Sequence, residues 1–442
     1  MGDGDGEQVM GDRDWVVEAG VALTPTPTPP GTPHPSSPIP HPPADAEAII
    51  VGGGPAGSAL ATLLAERGHR VLVLDKASFP RHKACSEYVN AEGARILDRL
   101  GVLGEVEAAG AHRMEGMRVH APGGASFLAD FAGAEAGRAA RGLSRRRLDH
   151  ILLRRAAEAG AAIRQRAHVR EVLTERGRVV GVVATIGGVR ETLRAPLVVG
   201  ADGHHSVVAR ALGLDTAPPW PRRTGLVAHY RAVRGLERWG ELHVAAHGYA
   251  GLAPLEDGLT NVALVAPDTA VAARTLPLEA FFNESLAQFP ALAAKLAGAE
   301  RVGSIRGVGT MAQGARRAAG DGFLLVGDAA SFLDPFTGEG IYEALRAAEI
   351  VAPIASAALR SGDTSARALA PYRAARRRAF AAKRAVCWIV QLFISTPPLL
   401  DYATPRLAAR TDLALTLAAV LGDFRPARQA LSPRFLARVL RP

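Results

Sequence analysis

Apolar residues fall into short runs along this chain, and the period of those runs changes from one region to the next. Ile49-Ile50-Val51 and Leu72-Val73-Leu74 are uninterrupted triplets, the pattern of strands covered on both faces in a parallel sheet. Between them, Ala59 to Arg67 is rich in Ala and Leu and is followed by Gly68, which predicts a helix with a glycine stop. Leu148 to Ala159 repeats apolar residues at helical spacing and ends before Gly160. Val179 to Ile186 and Arg190 to Leu197 flank Gly187-Gly188, which predicts a hairpin. Leu197-Val198-Val199 and Phe323-Leu324-Leu325-Val326 are further buried-strand runs, and a helical pattern resumes from Gly340 to Ala352. Residues 215–315 differ: Thr260 to Val265 alternates as an antiparallel strand does, and Ala280 to Leu296 is helical. The expected fold is α/β, with a Rossmann-like domain in two segments, 46–214 and 316–360. A mainly antiparallel-sheet domain, 215–315, is inserted between them, and a helical region, 361–442, follows.

The first strand runs into Gly52, Gly54, Pro55, Ala56 and Gly57, a glycine turn opening a helix. At such a turn Gly52 allows the sharp bend, Gly54 lets a pyrophosphate approach the backbone, and Gly57 lets helix and strand pack closely. Asp75 ends the next strand, at the distance where an acid accepts hydrogen bonds from a ribose. Asp202 and Asp328 end two more buried strands. Ligands gather at the carboxyl ends of strands in open α/β sheets, so these three acids predict one composite crevice.

Charge and composition narrow the function class. Lys and Arg number 52 against 43 Asp and Glu, a net +9, with arginines concentrated at Arg138 to Arg155 and in the C-terminal third. No zinc-finger spacing or aromatic RNA-binding run accompanies them, so nucleic acid is not the expected partner. The two cysteines, Cys85 and Cys387, form neither a disulfide framework nor a metal cluster; no metal is expected, and a reducing cytoplasm fits. Residues 1–45 include proline-rich stretches between 21 and 43 and read as a disordered leader without the apolar core of a secretory signal. No uncharged apolar stretch is long enough to span a membrane. Cys387 to Ile394 is apolar and suits either core packing or peripheral membrane contact; the oligomeric state is open.

Three motifs carry a family resemblance: the glycine turn, Gly200-Ala201-Asp202-Gly203-His204-His205-Ser206 with Arg210, and Gly327-Asp328-Ala329-Ala330-Ser331-Phe332-Leu333-Asp334-Pro335-Phe336-Thr337-Gly338-Glu339-Gly340-Ile341. With them the chain resembles FAD-dependent enzymes of the para-hydroxybenzoate hydroxylase-like fold, in the branch of geranylgeranyl reductases, flavin monooxygenases and halogenases. The resemblance implies FAD as cofactor, with Asp328 at the ribityl or pyrophosphate region. It places Pro335 and the amides of Gly338, Gly340 and Ile341 near the pyrimidine edge of the flavin. Arg145, in a run of three arginines, matches the family arginine on the FAD phosphates. The loop Phe79 to Tyr88 resembles one lying near flavin and substrate, and makes Lys83, Cys85 and Tyr88 candidate catalytic residues; Cys85 equally suits a small buried position. Reductase relatives carry glycines after this cysteine, whereas Ser86-Glu87-Tyr88 stand here and set bulk and a carboxylate where an isoprenoid would run. The resemblance therefore implies an oxidoreductase using transient NADPH or NADH. The expected reaction is hydroxylation of a hydrophobic aromatic or polyketide-like metabolite with oxygen, the alternatives being double-bond reduction or a non-enzymatic flavin-binding role. Tyr249, Trp239, His243 and Asn261 are further possible handles on the substrate.

Overall fold

The computed structural model describes residues 14–17, 46–236 and 238–441. The apolar runs form the centre of a six-stranded sheet. Its order is Ala319–Gly320, Phe323–Leu325, Leu197–Gly200, Ala48–Val51, Val71–Leu74 and Ala162–Arg164. All neighbours are parallel except Ala319–Gly320. Ile50, Val73, Val199 and Leu324 point to one face, where the helices Pro55–Ala65, Arg145–Glu158 and Gly340–Ser361 pack. Ile49, Leu72, Val198 and Leu325 point to the other, which is covered by an antiparallel sheet of Ala167–Glu175, Arg178–Ile186 and Val189–Arg194. Both faces are dry, which is why these strands read as unbroken apolar runs.

Prolines explain where the sequence pattern and the elements part. The first helix starts at Pro55, ahead of its apolar repeat, because proline's fixed φ and missing amide suit the first helical position. The Arg190–Leu197 run divides at Pro196: Val189–Arg194 completes the hairpin, and Leu197 starts a strand of the parallel sheet. Ala280–Leu296 is two helices, Leu278–Ala287 and Pro290–Leu296, because Pro290 opens the second.

The second layer is an eight-stranded sheet. Its order is Asp14–Val17, Glu300–Val308, Arg223–Arg231, Leu259–Pro267, Gly248–Pro254, Trp239–Ala245, Gly116–His120 and Ser126–Asp130. Only Trp239–Ala245 and Gly116–His120 run parallel. This corrects the boundaries 46–214 and 215–315, since the chain enters the second sheet before residue 215. Val119, Phe127 and Ala129 bury there with Tyr249, Val265, Leu400 and Leu413, a gain that holds the ribbon away from the six-stranded sheet. Asp14–Val17 pairs antiparallel with Glu300–Val308, so residues 1–45 are not wholly structureless; the proline-rich stretch lies outside the described residues. The C-terminal region is helical as expected, with Pro371–Ser395, Pro397–Ala409, Thr411–Leu421 and Pro433–Leu440.

Candidate flavin and substrate site

The glycines of the first turn serve two purposes. A Cβ on Gly52 would lie 2.4 Å from the Ala201 carbonyl, and one on Gly57 would lie 1.8 Å from the Gly52 carbonyl. Both are demanded by the protein's own backbone. A Cβ on Gly54 meets only guanidinium nitrogens, those of Arg81 at 3.7 Å and Arg145 at 3.8 Å. Its bare face is turned toward cations, the arrangement a phosphate needs. Asp75 pins this turn from below: one carboxylate oxygen accepts from the Gly53 amide at 2.7 Å and the other from the Ala77 amide at 2.8 Å.

Arg145 stands on the first turn of its helix, buried, and donates to both oxygens of Asp149 at 2.6 and 2.7 Å. Arg81 reaches the same carboxylate at 3.0 Å. Burial would raise the Asp149 carboxyl, but Arg145, Arg81 and Lys83 outweigh it and hold the group below its ordinary range. Arg147, by contrast, turns to Asp257 and Glu256. The helix start is capped by two carboxylates from elsewhere. Glu256 accepts from the Ser144 amide at 2.9 Å, and Glu87 from the Arg145 amide at 2.8 Å. Negative charge at a helix N-terminus is favourable, so both caps help fix Arg145 in place.

These elements border one cleft of about 1320 Å³. Gly52, Gly54, Pro55, Ala56, Asp75, Arg145, Asp202, Asp328, Pro335, Gly338, Gly340 and Ile341 line it, as do Lys83, Cys85 and Tyr88. Gly57 alone of the expected cofactor residues lies behind the wall, packed on Gly52. Asp202 accepts from the Val207 amide at 2.7 Å through one oxygen, while its other oxygen is buried without a hydrogen-bond partner in the protein. Burial raises this carboxyl. An orphaned acceptor on the wall of a cleft is the complement of a ligand hydroxyl. Together with the Gly54 face and the two guanidinium groups, it makes the cleft fit a dinucleotide.

The loop Pro335–Gly340 is held by both layers. Asp334 accepts from the Phe336 amide at 3.0 Å, the Tyr249 hydroxyl at 2.6 Å and Arg223 at 3.0 Å. Gly338 has φ +69°, and a Cβ there would lie 2.6 Å from the Tyr88 ring. Tyr88 is thus the floor under this loop, and burial pushes its hydroxyl well up, so it stays protonated. Behind the loop, Lys383 bridges Glu339 and Asp423 at 3.0 Å each. Nothing in the sequence pattern announced that bridge, because its three members are far apart in the chain.

Glu87 corrects an expectation. Its carboxylate does not project into a substrate path: it is buried, 2.5 Å from His229 Nε2, and accepts from Asn261 at 2.9 Å. Asn261 also donates to the Cys85 carbonyl at 2.8 Å, so its amide nitrogen braces this loop. Lys83 faces the Gly203 turn, where a Cβ on Gly203 would lie 3.1 Å from its ammonium. His120, Glu241 and His243 have side-chain ligand atoms within 4.8 Å of one another, and Lys295 at 3.2 Å already neutralises Glu241.

A second cavity, about 170 Å³ and mostly aliphatic and aromatic, lies between the eight-stranded sheet and the C-terminal helices. Val119, Phe127, Val390, Phe393, Leu407 and Phe435 are among its walls. It shares Ser86, Tyr88, Leu242, Gly251, Ala263, Pro335 and Gly338 with the cleft.

A cleft that fits a dinucleotide, with an apolar chamber beside it, is the architecture of a flavoprotein. The chain belongs to the FAD binding domain family, whose model matches residues 45–388, and it is a FAD-dependent oxidoreductase. It is 33% identical over 343 residues to digeranylgeranylglycerophospholipid reductase 1 of Methanopyrus kandleri, covering 74% of this chain and 84% of that one. It is 30% identical over 338 residues to the digeranylgeranylglycerophospholipid reductase of Methanospirillum hungatei, covering 74% and 79%. Among solved structures it is similar to the myxobacterial chondrochloren halogenase CndH, with a TM-score of 0.73, 26% identity, and 89% and 93% of the two chains covered.

Proposed function

We propose that this enzyme reduces carbon–carbon double bonds in a long apolar, isoprenoid-type substrate. The observation that carries the reading is the apolar cavity meeting the flavin cleft at Tyr88 and Gly338. At about 170 Å³ the chamber itself takes only a short apolar segment, so the rest of an extended hydrocarbon would lie along the cleft it opens into. The similarity to reductases of geranylgeranyl lipids supports the same reading. So does the inward turn of Glu87, which takes the carboxylate out of the path, although Ser86 and Tyr88 still line it.

Bound FAD would supply the two-electron chemistry, delivering hydride in its reduced form. Arg81 and Arg145 would neutralise its pyrophosphate over Gly54, and Asp202 and Asp328 would accept from its hydroxyls. The amides of Gly340 and Ile341 would favour negative charge on the pyrimidine edge. Hydride addition to one alkene carbon requires a proton at the other. Tyr88 and Cys85 both line the cleft and would be its candidate proton donors; burial tightens the hold of Tyr88 on its proton, so transfer from it would have to run in step with hydride addition. NADPH or NADH would act as a transient reductant.

The test is reduction of the purified holoenzyme under anaerobic conditions with a geranylgeranyl lipid, read by mass spectrometry. Gain of two hydrogens per double bond is expected. Hydroxylation is the second reading, favoured by the likeness to a flavin-dependent halogenase fold. Turnover only with oxygen, with one labelled oxygen atom entering the product, would replace the reductase assignment by that one.

A further inference from the structure

Between Ser365 and Leu400 the chain holds Arg367, Arg373, Arg376, Arg377, Arg378, Lys383 and Arg384 and no Asp or Glu. Most of this stretch is the single helix Pro371–Ser395. One face of it packs on the protein through Tyr372, Phe380, Lys383, Val386, Gln391 and Ile394, all buried. The opposite face is exposed and sorted along its length. Its first turns present Arg373, Arg377 and Arg378, and its last turns present Trp388 and Leu392, 39% and 53% exposed. Trp220 from another loop, 42% exposed, stacks on Trp388 with ring centroids 5.7 Å apart, and the exposed Arg222 follows it.

We propose that this face is a membrane-docking surface for anionic lipid, with Trp220, Trp388 and Leu392 entering the interface and Arg373, Arg377 and Arg378 pairing with phosphate headgroups. Indole rings prefer the headgroup level of a bilayer, where an apolar body and a polar N–H are both accommodated. Arginines on the same side add electrostatic attraction to an acidic leaflet. Arg377 and Trp388 are about 16 Å apart along the helix axis, so both reach one surface only if the helix lies along it. Geometry favours lying over crossing. Among the described residues no single helix is long and apolar enough to span a bilayer, and the pair Ala366–Ser395 and Pro397–Ala409 is bent by 111°. The absence of acids across this stretch is the complementarity that selects an anionic membrane over a second copy of this basic chain.

Position strengthens the assignment. Ile389, Val390 and Phe393, interleaved with Trp388 and Leu392 on the same turns, line the apolar cavity. A lipid chain entering from the docked bilayer would therefore pass from hydrocarbon to hydrocarbon across one helix. That last step rests on the reductase reading; docking itself does not.

The test uses the full-length holoenzyme with vesicles free of isoprenoid lipids, either phosphatidylcholine alone or mixed equally with phosphatidylglycerol. Co-sedimentation with the mixed vesicles, a blue shift of tryptophan emission, and release by salt are expected. Trp388→Ala combined with Leu392→Ala should weaken binding at least about tenfold. Arg377→Gln and Arg378→Gln should each weaken it by about fivefold. Flavin content at the parent value should certify folding in all of them; the two arginine variants should also keep the parent melting temperature, whereas the double variant should melt slightly lower through the lost stacking on Trp220. Sedimentation with neither vesicle would overturn the proposal, as would binding indifferent to both sets of substitutions. Concentration-dependent dimerisation abolished by Trp388→Ala, without vesicle binding, would assign the face to a second copy instead.

Discussion

At the scale of single residues, the glycine turn separates what the fold needs from what the cofactor needs. The backbone contacts of Gly52 and Gly57 leave no room for a methyl group, whereas Gly54 looks out between Arg81 and Arg145 with ordinary contact distances. Gly57→Ala should therefore lower the melting temperature of the apoprotein, because the clash is with a carbonyl that has nowhere to move. Gly54→Ala should leave that temperature within about 1 °C, a change below ~0.5 kcal/mol. Its cost should appear as at least about tenfold weaker FAD binding in a fluorescence titration. Equal effects of the two substitutions on apoprotein stability would refute the division. Both glycines were legible in the sequence, since their spacing reflects local backbone geometry. Arg81 was legible only as one basic residue in a loop. Its pairing with Asp149, itself fully buried, depends on how a loop and a helix meet, which spacing along one strand of sequence does not encode.

Elements show the same limit more sharply. The apolar period announced the helix from Gly340, and the helical region 361–442 was expected with its arginines, but not that the helices Gly340–Ser361 and Pro371–Ser395 are joined through buried ion pairs. Lys383 reaches back to Glu339 at the mouth of the first and to Asp423 beyond the second, and Asn90 donates to the same Asp423 at 2.7 Å. The flavin-side loop is thereby tied to the C-terminal region. One turn further, burial pushes the Glu343 carboxyl up to about 7 despite the opposing pull of Arg384 and Arg376. A carboxyl raised in the folded state gives stability that is present below its unfolded value of 4.5 and is lost as pH rises through about 7. Glu343→Gln has no such loss. Relative to the parent, its melting temperature should climb on going from about pH 5 to about pH 8, by roughly 3 °C or more given the size of the shift. A difference between the two proteins that stays constant across this range, or that falls, would show that Glu343 is ionised throughout.

At the scale of the whole molecule, the unexpected contact is the one made by the start of the chain. Proline-rich composition between residues 21 and 43 supported a disordered leader, but Asp14-Trp15-Val16-Val17 is a short apolar-centred strand that composition averaged away. It pairs with Glu300–Val308, setting Val16 opposite Arg306 and Trp15 opposite Gly307. Arg306, Gly307 and Val308 also line the flavin cleft, on a strand whose other neighbour is Arg223–Arg231. Removing residues 1–45 would leave that strand as a bare sheet edge, with its amides returned to water and open to pairing with another chain. Removing residues 1–12 would leave the pairing intact. The shorter truncation should therefore match the full chain in every measurement. The longer one should melt about 2 °C lower for each kcal/mol of lost strand pairing and should gain a tendency to associate at high concentration. FAD affinity should change less than about twofold in both, since a loss of that size is under ~0.5 kcal/mol and the phosphate-facing groups come from the first turn, Arg81 and Arg145. Light scattering and differential scanning calorimetry on the three proteins decide the matter. Identical melting of the long truncation and the full chain would mean that the strand adds nothing to stability. A large loss of flavin would mean instead that the Arg306 strand needs its outer neighbour to shape the cleft.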